Sequence, residues 1–595
     1  MARRPPPRAD TLEAALAQVF AARDTKASWF ALTGGEPLFN AGDEADSLYL
    51  LRSGRLGVFR NEEGQPPQFL GVIRPGEPVG EMALIAGTAH SSDVVALRDS
   101  EILALPRDVF FDAIRTHPEV MIELSRLMLS RARERSSAGA EPSVFGFVSA
   151  RPGPIRAFVE RVAACIEAQG YTCQVIDQTA LSSVSEWFSR VEDSHDFVLY
   201  VAEQDEPSWA ALCARQVDRL FVVGSALMAP PARLVAPASP AWRGAQFTDL
   251  ILLRDPRMAM PANTAAWLDA LNPGRWYHAR EGHADDAARI ARTITGSSIG
   301  LVLSGGGARA YAHIGVVRAL HEAGVVLDSF GGSSMGAVVA AGPALGWSDD
   351  DLEARIRKAF VVSDPLSDLA LPLVAMTRAG KVARLLEEAY GDIDIADLPL
   401  PFFAVSSNLT TGRIEVHRRG LLRRAMRASI SIPGVMPPVV INGQVLVDGA
   451  VLKNFPTDVM RQLNAGPVIG SDMSQARGVD PGALENPPSW WRWLLSGKWK
   501  AGPPIVSILM RSATITSDAE LERSRRDTDV LILPRPSGAD IRDWKVYDPV
   551  VAEGHAAAVA VLEGLEEPIG AMRRRRPRAA AATAAAAATP ATGDT

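Results

Sequence analysis

The sequence predicts a multidomain protein: an N-terminal β-barrel or roll with helices, a middle doubly wound α/β segment, and a C-terminal α/β domain. Its length, 595 residues, suits about three to five domains of ordinary size. Short β-like runs separated by glycines come first in the chain. Two regions follow in which apolar strand-like runs alternate with helical patterns, as in parallel sheets covered by helices.

The first domain is expected at residues 15–135, after a disordered N-terminus at 1–14. Glycines separate its β-like runs, a spacing typical of a small antiparallel barrel, and Gly54 is expected to form one of the turns. The runs lie at 47–51, 56–59, 69–73 and 102–105. Helical patterns at 107–116 and 118–133 complete the domain.

The middle domain is expected at residues 143–280. Its strand-like runs lie at 144–148, 197–201, 220–223 and 250–253, with helical patterns between them. Such alternation predicts a parallel sheet. The stretch contains neither G-x-x-x-x-G-K-[ST] nor G-x-G-x-x-G after a strand, the motifs that position a nucleotide phosphate. We therefore interpret this domain as a scaffold.

Composition excludes several classes of protein. The net charge of −7 provides no general attraction for nucleic acid. Three cysteines are too few for a disulfide framework, and no paired Cys/His spacing suggests zinc, so neither a metal nor a cofactor is expected. No signal peptide and no apolar run of about 18–20 residues are present, which favours a cytoplasmic protein. The alanine-rich tail at 569–595 is expected to be disordered.

The C-terminal region carries two glycine motifs. A buried-strand run at 299–303 leads into Gly305, Gly306 and Gly307, where free backbone N–H groups could stabilise an anion. A G-x-S-x-G motif at 332–336 follows between a short strand and an alanine-rich helix. This context is typical of a nucleophile elbow, which predicts Ser334 as the nucleophile.

A serine nucleophile needs a base that accepts its proton. The histidines after Ser334 are His417 and His555, and His555 lies in a helical run where exposure at a helix start explains it better than a role as base. Asp448, at the end of an apolar strand and followed by glycine, is the alternative base. His313 and His321 are expected to decorate the helix after the glycine loop.

These motifs resemble the patatin-like phospholipases. The resemblance rests on G-G-G-A-R at 305–309, G-x-S-x-G at 332–336 and D-G-A at 448–450, in that order. It implies a domain at 298–568 that hydrolyses carboxyl esters of phospholipids or lysophospholipids with a Ser-Asp dyad. Ser334 would be the nucleophile, Asp448 the base, and the amides of the three glycines the oxyanion hole. Arg309 would either orient the loop through its fork of donors or cap and solvate the helix face.

The barrel also resembles a known module, the cyclic-nucleotide-binding domain. The stretch 80–84, G-E-M-A-L, is similar to its phosphate-binding cassette, which implies that Glu81 stands at the ribose position. His90 stands where the phosphate-binding arginine usually lies, so cyclic nucleotide is a doubtful ligand. The order of the three domains is similar to that of bacterial relatives of neuropathy target esterase.

A tryptophan-rich segment at 490–500 predicts peripheral contact with a membrane. Trp490, Trp491 and Trp493 are interleaved with Arg and Lys, a composition that favours the lipid headgroup layer. Packing against the catalytic domain is the alternative. The expected substrate is a membrane lipid, met at the inner face of the membrane.

The sequence disfavours two other classes of function. A ligand-sensing regulator with a vestigial hydrolase domain is disfavoured because Ser334, Asp448 and the glycine loop are intact. A cyclic-nucleotide-dependent transcription factor is disfavoured because no helix-turn-helix pattern follows the barrel.

Overall fold

The computed structural model contains three sheets in the predicted order, and the fold class is confirmed. It describes residues 28–61, 68–116, 118–133, 142–183, 185–234, 248–363, 365, 367, 368, 370, 374–474, 520–536 and 546–572. Within these ranges, no helix combines the length and the apolarity needed to cross a bilayer.

The N-terminal domain is a six-stranded antiparallel sheet with the main strand order β1-β6-β3-β4. Its strands are β1 (Ser28–Leu32), β2 (Pro37–Phe39), β3 (Ser47–Arg60), β4 (Gln68–Ile73), β5 (Pro78–Val79) and β6 (Asp93–Pro106). Its helices are α1 (Glu81–Ala86), α2 (Arg107–Thr116) and α3 (Pro118–Arg133). The two helical predictions, at 107–116 and 118–133, are therefore confirmed.

Gly54 does not form the expected turn but lies inside β3. Its φ is 94°, and the pairing of β3 with β6 shifts register on both sides of it. A Cβ at this position would come within 2.2 Å of the Ser100 Oγ. Gly54 thus marks a bulge that bends one long strand, where the sequence alone predicted two short ones.

The middle domain is a six-stranded parallel sheet with the order β12-β11-β10-β7-β9-β8. Its strands are β7 (Val144–Ser149), β8 (Cys173–Ile176), β9 (Phe197–Ala202), β10 (Arg219–Ser225), β11 (Thr248–Arg254) and β12 (Arg275–Arg280). Its helices are α4 (Arg156–Ala168), α5 (Ser185–Ser194), α6 (Pro207–Gln216), α7 (Thr264–Leu271) and α8 (Ala284–Thr295). The four predicted strands are present, and β8 and β12 were missed because each contains polar side chains.

The N-terminus of α4, which follows the central strand β7, is the end of a helix that commonly binds anions in such sheets. Here the carboxylate of Glu203 accepts hydrogen bonds from the N–H groups of Ile155, at 3.0 Å, and Arg156, at 3.1 Å. The chain thus supplies its own anion at this helix end.

Buried contacts join the middle domain to both neighbours. Arg98 and Arg55 of the first domain pair with Glu192 and Asp218 of the middle domain, at 2.8 and 2.6 Å. On the other side, the middle domain bonds several residues of the C-terminal domain, among them the one-turn helix Ile395–Asp397 and Leu398 after it. The donors there are His278 Nδ1 to the Leu398 carbonyl, Trp276 Nε1 to the Ala396 carbonyl, and the Thr264 N–H to Asp397.

The C-terminal domain is an eight-stranded mixed sheet whose main order is β17-β18-β15-β14-β13-β19-β20, with β16 paired to β15. Its strands are β13 (Gly300–Leu303), β14 (Ser329–Ser333), β15 (Phe402–Asn408), β16 (Arg413–His417), β17 (Val439–Ile441), β18 (Gln444–Asp448), β19 (Val468–Ser471) and β20 (Val530–Ile532). Its helices are α9 (Ala312–Glu322), α10 (Met335–Ala344), α11 (Asp349–Ile356), α12 (Gly380–Tyr390), α13 (Leu422–Ser429), α14 (Thr457–Leu463) and α15 (Tyr547–Glu563).

This sheet brings the three C-terminal motifs to one edge. β13 and β14 are parallel neighbours, so the glycine loop and the G-x-S-x-G turn leave the sheet side by side. β15 lies beside β14 and pairs antiparallel with β18, with Ser406 opposite Asp448. Motifs more than 100 residues apart along the chain therefore meet at the carboxyl ends of the central strands.

Candidate active site

Ser334 sits at the sharp turn between β14 and α10. Its backbone has φ 53° and ψ −132°, an unfavourable conformation for a residue with a side chain. The flanking glycines are required by packing, since a Cβ on Gly332 would lie 2.5 Å from the Leu303 carbonyl oxygen and one on Gly336 would lie 2.3 Å from it. The turn has the sharp backbone geometry expected of a nucleophile elbow.

The structure brings Ser334 and Asp448 together. Ser334 Oγ donates a hydrogen bond to Asp448 Oδ2 at 2.7 Å. The other carboxylate oxygen, Oδ1, accepts from the Ala450 N–H at 2.9 Å, which fixes the plane of the carboxylate. A Cβ on Gly449 would lie 2.3 Å from Ser333 Oγ, so the D-G-A glycine allows this close approach. A hydroxyl held against a carboxylate in this way can lose its proton to it.

Burial controls the charge of Asp448, which is 1% exposed. Desolvation raises its pKa to about 6, although the hydrogen bonds from the Ala450 N–H and the Ser334 hydroxyl oppose the rise. A carboxylate with this pKa is a stronger base than an ordinary aspartate and is still ionised near neutral pH.

The glycine loop lies directly against Ser334. A Cβ on Gly305 would lie 2.5 Å from Asn454 Oδ1 and 3.0 Å from Ser334 Cβ, and one on Gly306 would lie 2.9 Å from Met473 Cβ. Gly307 has φ 57°, in the left-handed region. A side chain on Gly305 would separate the loop from the serine, so the close approach of the loop backbone to Ser334 depends on this glycine. The Gly305 N–H itself donates to the Asn454 carbonyl at 3.3 Å.

His313 does not decorate its helix as expected, because it is fully buried beneath the glycine loop. Its Nε2 donates to the Ser304 carbonyl at 2.8 Å, and Nδ1 lies 2.9 Å from Ser471 Oγ. Burial lowers the pKa of His313 to about 4, so the ring is neutral and accepts at Nδ1. Ser304 Oγ also accepts from the Met473 N–H at 2.7 Å. This network holds the start of the loop.

Ser429 supports the elbow from the opposite side. Its Oγ accepts a hydrogen bond from the Ser334 N–H at 2.9 Å and donates to the Val405 carbonyl at 2.7 Å. This role of Ser429 was not predicted from the sequence. The available signal was its position, as the first residue of the S-I-S-I-P-G stretch that precedes the aspartate motif.

The other candidate histidines have partners elsewhere. His555 Nε2 pairs with Glu322 at 2.7 Å, and His321 Nδ1 pairs with Asp349 at 2.8 Å. His417 bonds Ser406 Oγ at 2.7 Å, and burial lowers its pKa to about 4. None of these three rings bonds Ser334, whose hydroxyl donates to Asp448.

Arg309 lies on the turn Gly307–Tyr311 and is buried, 7% exposed. The alternative that it solvates a helix face is therefore wrong. Support of the glycine loop by Arg309 stays a prediction.

In the N-terminal domain, Glu81 begins α1 and is buried. His90 is also buried, and its ring stacks on Phe39 with a centroid distance of 3.6 Å. Desolvation lowers the pKa of His90, which keeps the ring neutral at pH 7. The tryptophans at 490, 491 and 493 lie outside the described residues.

Three family models match this chain. Residues 30–117 match the cyclic nucleotide-binding domain, and residues 163–279 match the neuropathy target esterase family P-loop like domain. Residues 301–461 match patatin-like phospholipase, and this range contains the glycine loop, Ser334 and Asp448. The resemblance inferred from the motifs is confirmed.

Relatives match over most of the chain. An uncharacterized NTE family protein of Mycobacterium tuberculosis is 34% identical over 546 residues, which cover 88% of this chain and 90% of the relative. Lysophospholipase nte1 of Neosartorya fischeri is 26% identical over 91% of this chain and 42% of its own length. Patatin-like phospholipase domain-containing protein 6 of Pongo abelii is 27% identical, over 93% and 46%. The chain belongs to the NTE family, and its C-terminal domain is a patatin-like phospholipase domain, a carboxylic ester hydrolase.

Proposed function

We propose that this chain hydrolyses the acyl esters of phospholipids and lysophospholipids at a membrane surface with a dyad of Ser334 and Asp448. The observation that carries the proposal is the 2.7 Å hydrogen bond from Ser334 Oγ to Asp448 Oδ2 in a buried site. The glycine loop beside the serine and the relatives named as lysophospholipases support it.

In the first half of the reaction, Ser334 Oγ attacks the ester carbonyl while Asp448 accepts its proton. In the glycine loop, the Gly305 N–H donates to the Asn454 carbonyl at 3.3 Å. The N–H groups of Gly306 and Gly307, with that of the residue after the nucleophile, therefore stabilise the oxyanion. The N-terminus of α10 adds a favourable dipole at this point. Collapse of the tetrahedral intermediate breaks the ester C–O bond, and Asp448 returns the proton to the leaving alcohol.

In the second half, a water molecule attacks the acyl-serine and gives its proton to Asp448. Collapse releases the fatty acid, and the proton returns to Ser334 Oγ. Asp448 therefore acts as base and acid in turn, which suits a pKa of about 6 better than that of an exposed aspartate.

The proposal is tested by fatty acid release from phosphatidylcholine and lysophosphatidylcholine vesicles, with the purified full chain. Release that depends on Ser334 is expected. A folded chain that releases no fatty acid and resists covalent serine labelling would favour the regulator with a vestigial hydrolase domain.

Contact with the inner face of the membrane is a further part of the proposal, based on the tryptophan-rich segment. We predict that changing Trp490, Trp491 and Trp493 together to alanine weakens binding to anionic vesicles, because indole rings favour the headgroup layer. Vesicle sedimentation measures the effect, and binding by the unmodified chain should weaken as salt rises. Unchanged binding by the folded triple variant would favour packing of the tryptophans against the protein.

We further predict weak or no binding of cyclic AMP and cyclic GMP. A neutral, buried His90 cannot form the charge-assisted pair that arginine gives a phosphate. The loss of such a bond, about 1.5–3 kcal/mol, weakens affinity roughly ten- to hundredfold. Calorimetric titration tests this, and partial rescue is expected for His90→Arg. Micromolar or tighter binding by the unmodified chain near neutral pH would contradict the prediction.

A further inference from the structure

Asn454 bonds both backbone groups of Gly305, the first glycine of the loop. The Gly305 N–H donates to the Asn454 carbonyl at 3.3 Å, and Asn454 Nδ2 donates to the Gly305 carbonyl at 3.2 Å. Asn454 follows Asp448 in the chain, just beyond the turn Gly449–Val451. One short segment therefore supplies both the proposed base and this contact to the glycine loop.

These bonds determine where the next N–H group points. A trans peptide directs its C=O and N–H groups to opposite sides, and the described chain contains no cis peptide. In the peptide between Ser304 and Gly305, the carbonyl accepts from His313 Nε2 at 2.8 Å and the N–H donates to the Asn454 carbonyl. In the peptide between Gly305 and Gly306, the carbonyl accepts from Asn454 Nδ2. The Gly306 N–H therefore points away from the Asn454 side chain.

The two glycines alone do not fix this orientation. Glycine populates positive and negative φ values about equally readily, so the peptide between Gly305 and Gly306 can rotate at little cost. Rotation would direct the Gly305 carbonyl to the side that the Gly306 N–H now faces. A carbonyl oxygen there would repel the negative charge that an N–H group stabilises. Because rotation breaks the bond from Asn454 Nδ2, this bond favours the orientation that can bind an oxyanion.

Neighbouring side chains hold the amide of Asn454 in place. Its Nδ2 also donates to Ser474 Oγ at 2.7 Å, and the Ser474 N–H donates to Asp472 Oδ1 at 2.8 Å. Asp472 is buried, and its Oδ2 pairs with Arg525 at 2.7 Å. Both N–H groups of the Asn454 amide thus have acceptors. The amide cannot turn its oxygen toward the Gly305 carbonyl without losing both bonds.

We propose that Asn454 is a positioning residue for the oxyanion hole, which holds the Gly305 carbonyl so that the Gly306 N–H faces the developing negative charge. The inference rests on the proposed hydrolysis at Ser334 and extends it to a side chain that acts through the loop backbone. Its contribution arises in the transition state, because the ester oxygen gains its full negative charge only as the carbonyl carbon becomes tetrahedral. Loss of the bond should therefore lower kcat and leave KM for a soluble ester nearly unchanged.

The test compares two substitutions of Asn454 with a matched control. Asn454→Ala removes the donor, and Asn454→Asp keeps the size of the side chain but has no N–H group to donate. Asn464→Asp is the control, because Asn464 is also buried and its Nδ2 donates to two backbone carbonyls, those of Ser298 and Pro467. Ser298 precedes β13, whereas the glycine loop follows the other end of that strand.

Two measurements separate positioning from loss of folded protein. The first is kcat and KM on p-nitrophenyl butyrate, with kcat divided by the number of active sites that a fluorophosphonate labels at completion. Unfolded molecules are then not counted. The second is the inhibition constant of a trifluoromethyl ketone, whose adduct with Ser334 carries an oxyanion like that of the transition state.

We expect both Asn454 variants to lose about 10²- to 10³-fold in kcat per active site, as for removal of one oxyanion donor, with KM changed less than about threefold. The inhibition constant of the ketone should rise by a similar factor, and Asn464→Asp should keep kcat within about twofold. A kcat within about threefold of the unmodified enzyme in both Asn454 variants, or an unchanged inhibition constant, would overturn the proposal. Failure of the unmodified enzyme on every ester, without labelling of Ser334, would instead contradict the hydrolytic function itself.

Discussion

Ser334→Ala and Asp448→Asn are each expected to abolish ester hydrolysis. The two side chains share one proton through a 2.7 Å hydrogen bond. No other group that bonds either side chain can take over its part in this proton transfer. Removal of one member of such a unit costs nearly the whole effect, a loss of about 10⁴-fold or more in kcat. Initial rates on p-nitrophenyl acetate and on lysophosphatidylcholine measure it.

His555→Ala is the matched control, because its ring pairs with Glu322 and should not take part. Most activity is expected to remain. Covalent labelling by a fluorophosphonate, located by mass spectrometry, should fall on Ser334. A label on another serine, or loss of activity in a folded His555 variant, would show that the dyad is assigned incorrectly.

The rate of ester hydrolysis is expected to depend strongly on pH. Because Asp448 must be ionised to accept the serine proton, kcat/KM should rise with pH and level off above its pKa of about 6. Below that pH the rate should fall about tenfold per pH unit, since the fraction of ionised carboxylate falls in that proportion. A profile on a neutral ester checks this, with thermal unfolding at each pH to confirm that the enzyme stays folded. A plateau that extends down to pH 4 would contradict the assignment.

The same raised pKa has a consequence for stability. Ionised Asp448 is disfavoured in the folded protein, so its contribution to the free energy of unfolding decreases as pH rises from about 4 to 6. The full difference is about 3 kcal/mol, given the shift from 3.8 to about 6. Asp448→Asn, which carries no charge, should therefore unfold at higher denaturant concentration than the unmodified chain at pH 8. At pH 4 the two should be similar.

The sequence predicted that Ser334 and Asp448 lie in one site because each lies in a short motif with its own local geometry, and the structure places the two side chains in hydrogen-bond contact. The G-x-S-x-G turn and the D-G-A strand end each specify a backbone shape that the structure contains. The supporting residues carried no such local signal. Ser429 meets Ser334 across 95 residues, and Met473 meets Ser304 across 169, so those contacts depend on the folded sheet.

The sequence predicted where strands lie better than it predicted where each strand ends. The glycine that suggested a turn, Gly54, bends a single strand, because only its partner strand β6 determines whether pairing continues. His313 shows the same limit. Its helical position could be predicted from the sequence, but the buried carbonyl that it bonds belongs to Ser304, just after β13, and the hydroxyl belongs to Ser471 of β19.

The turn Ile395–Asp397 connects the middle domain to the sheet that carries the candidate active site. Ala396 packs in the apolar core of the middle domain, and the chain after the turn forms β15. β15 is the strand that pairs with both β14 and β18. The middle and C-terminal domains should therefore melt together as one cooperative unit. In evolutionary terms, recombination that transferred the C-terminal segment alone would expose Ala396, so that segment is expected to be less stable without the middle domain.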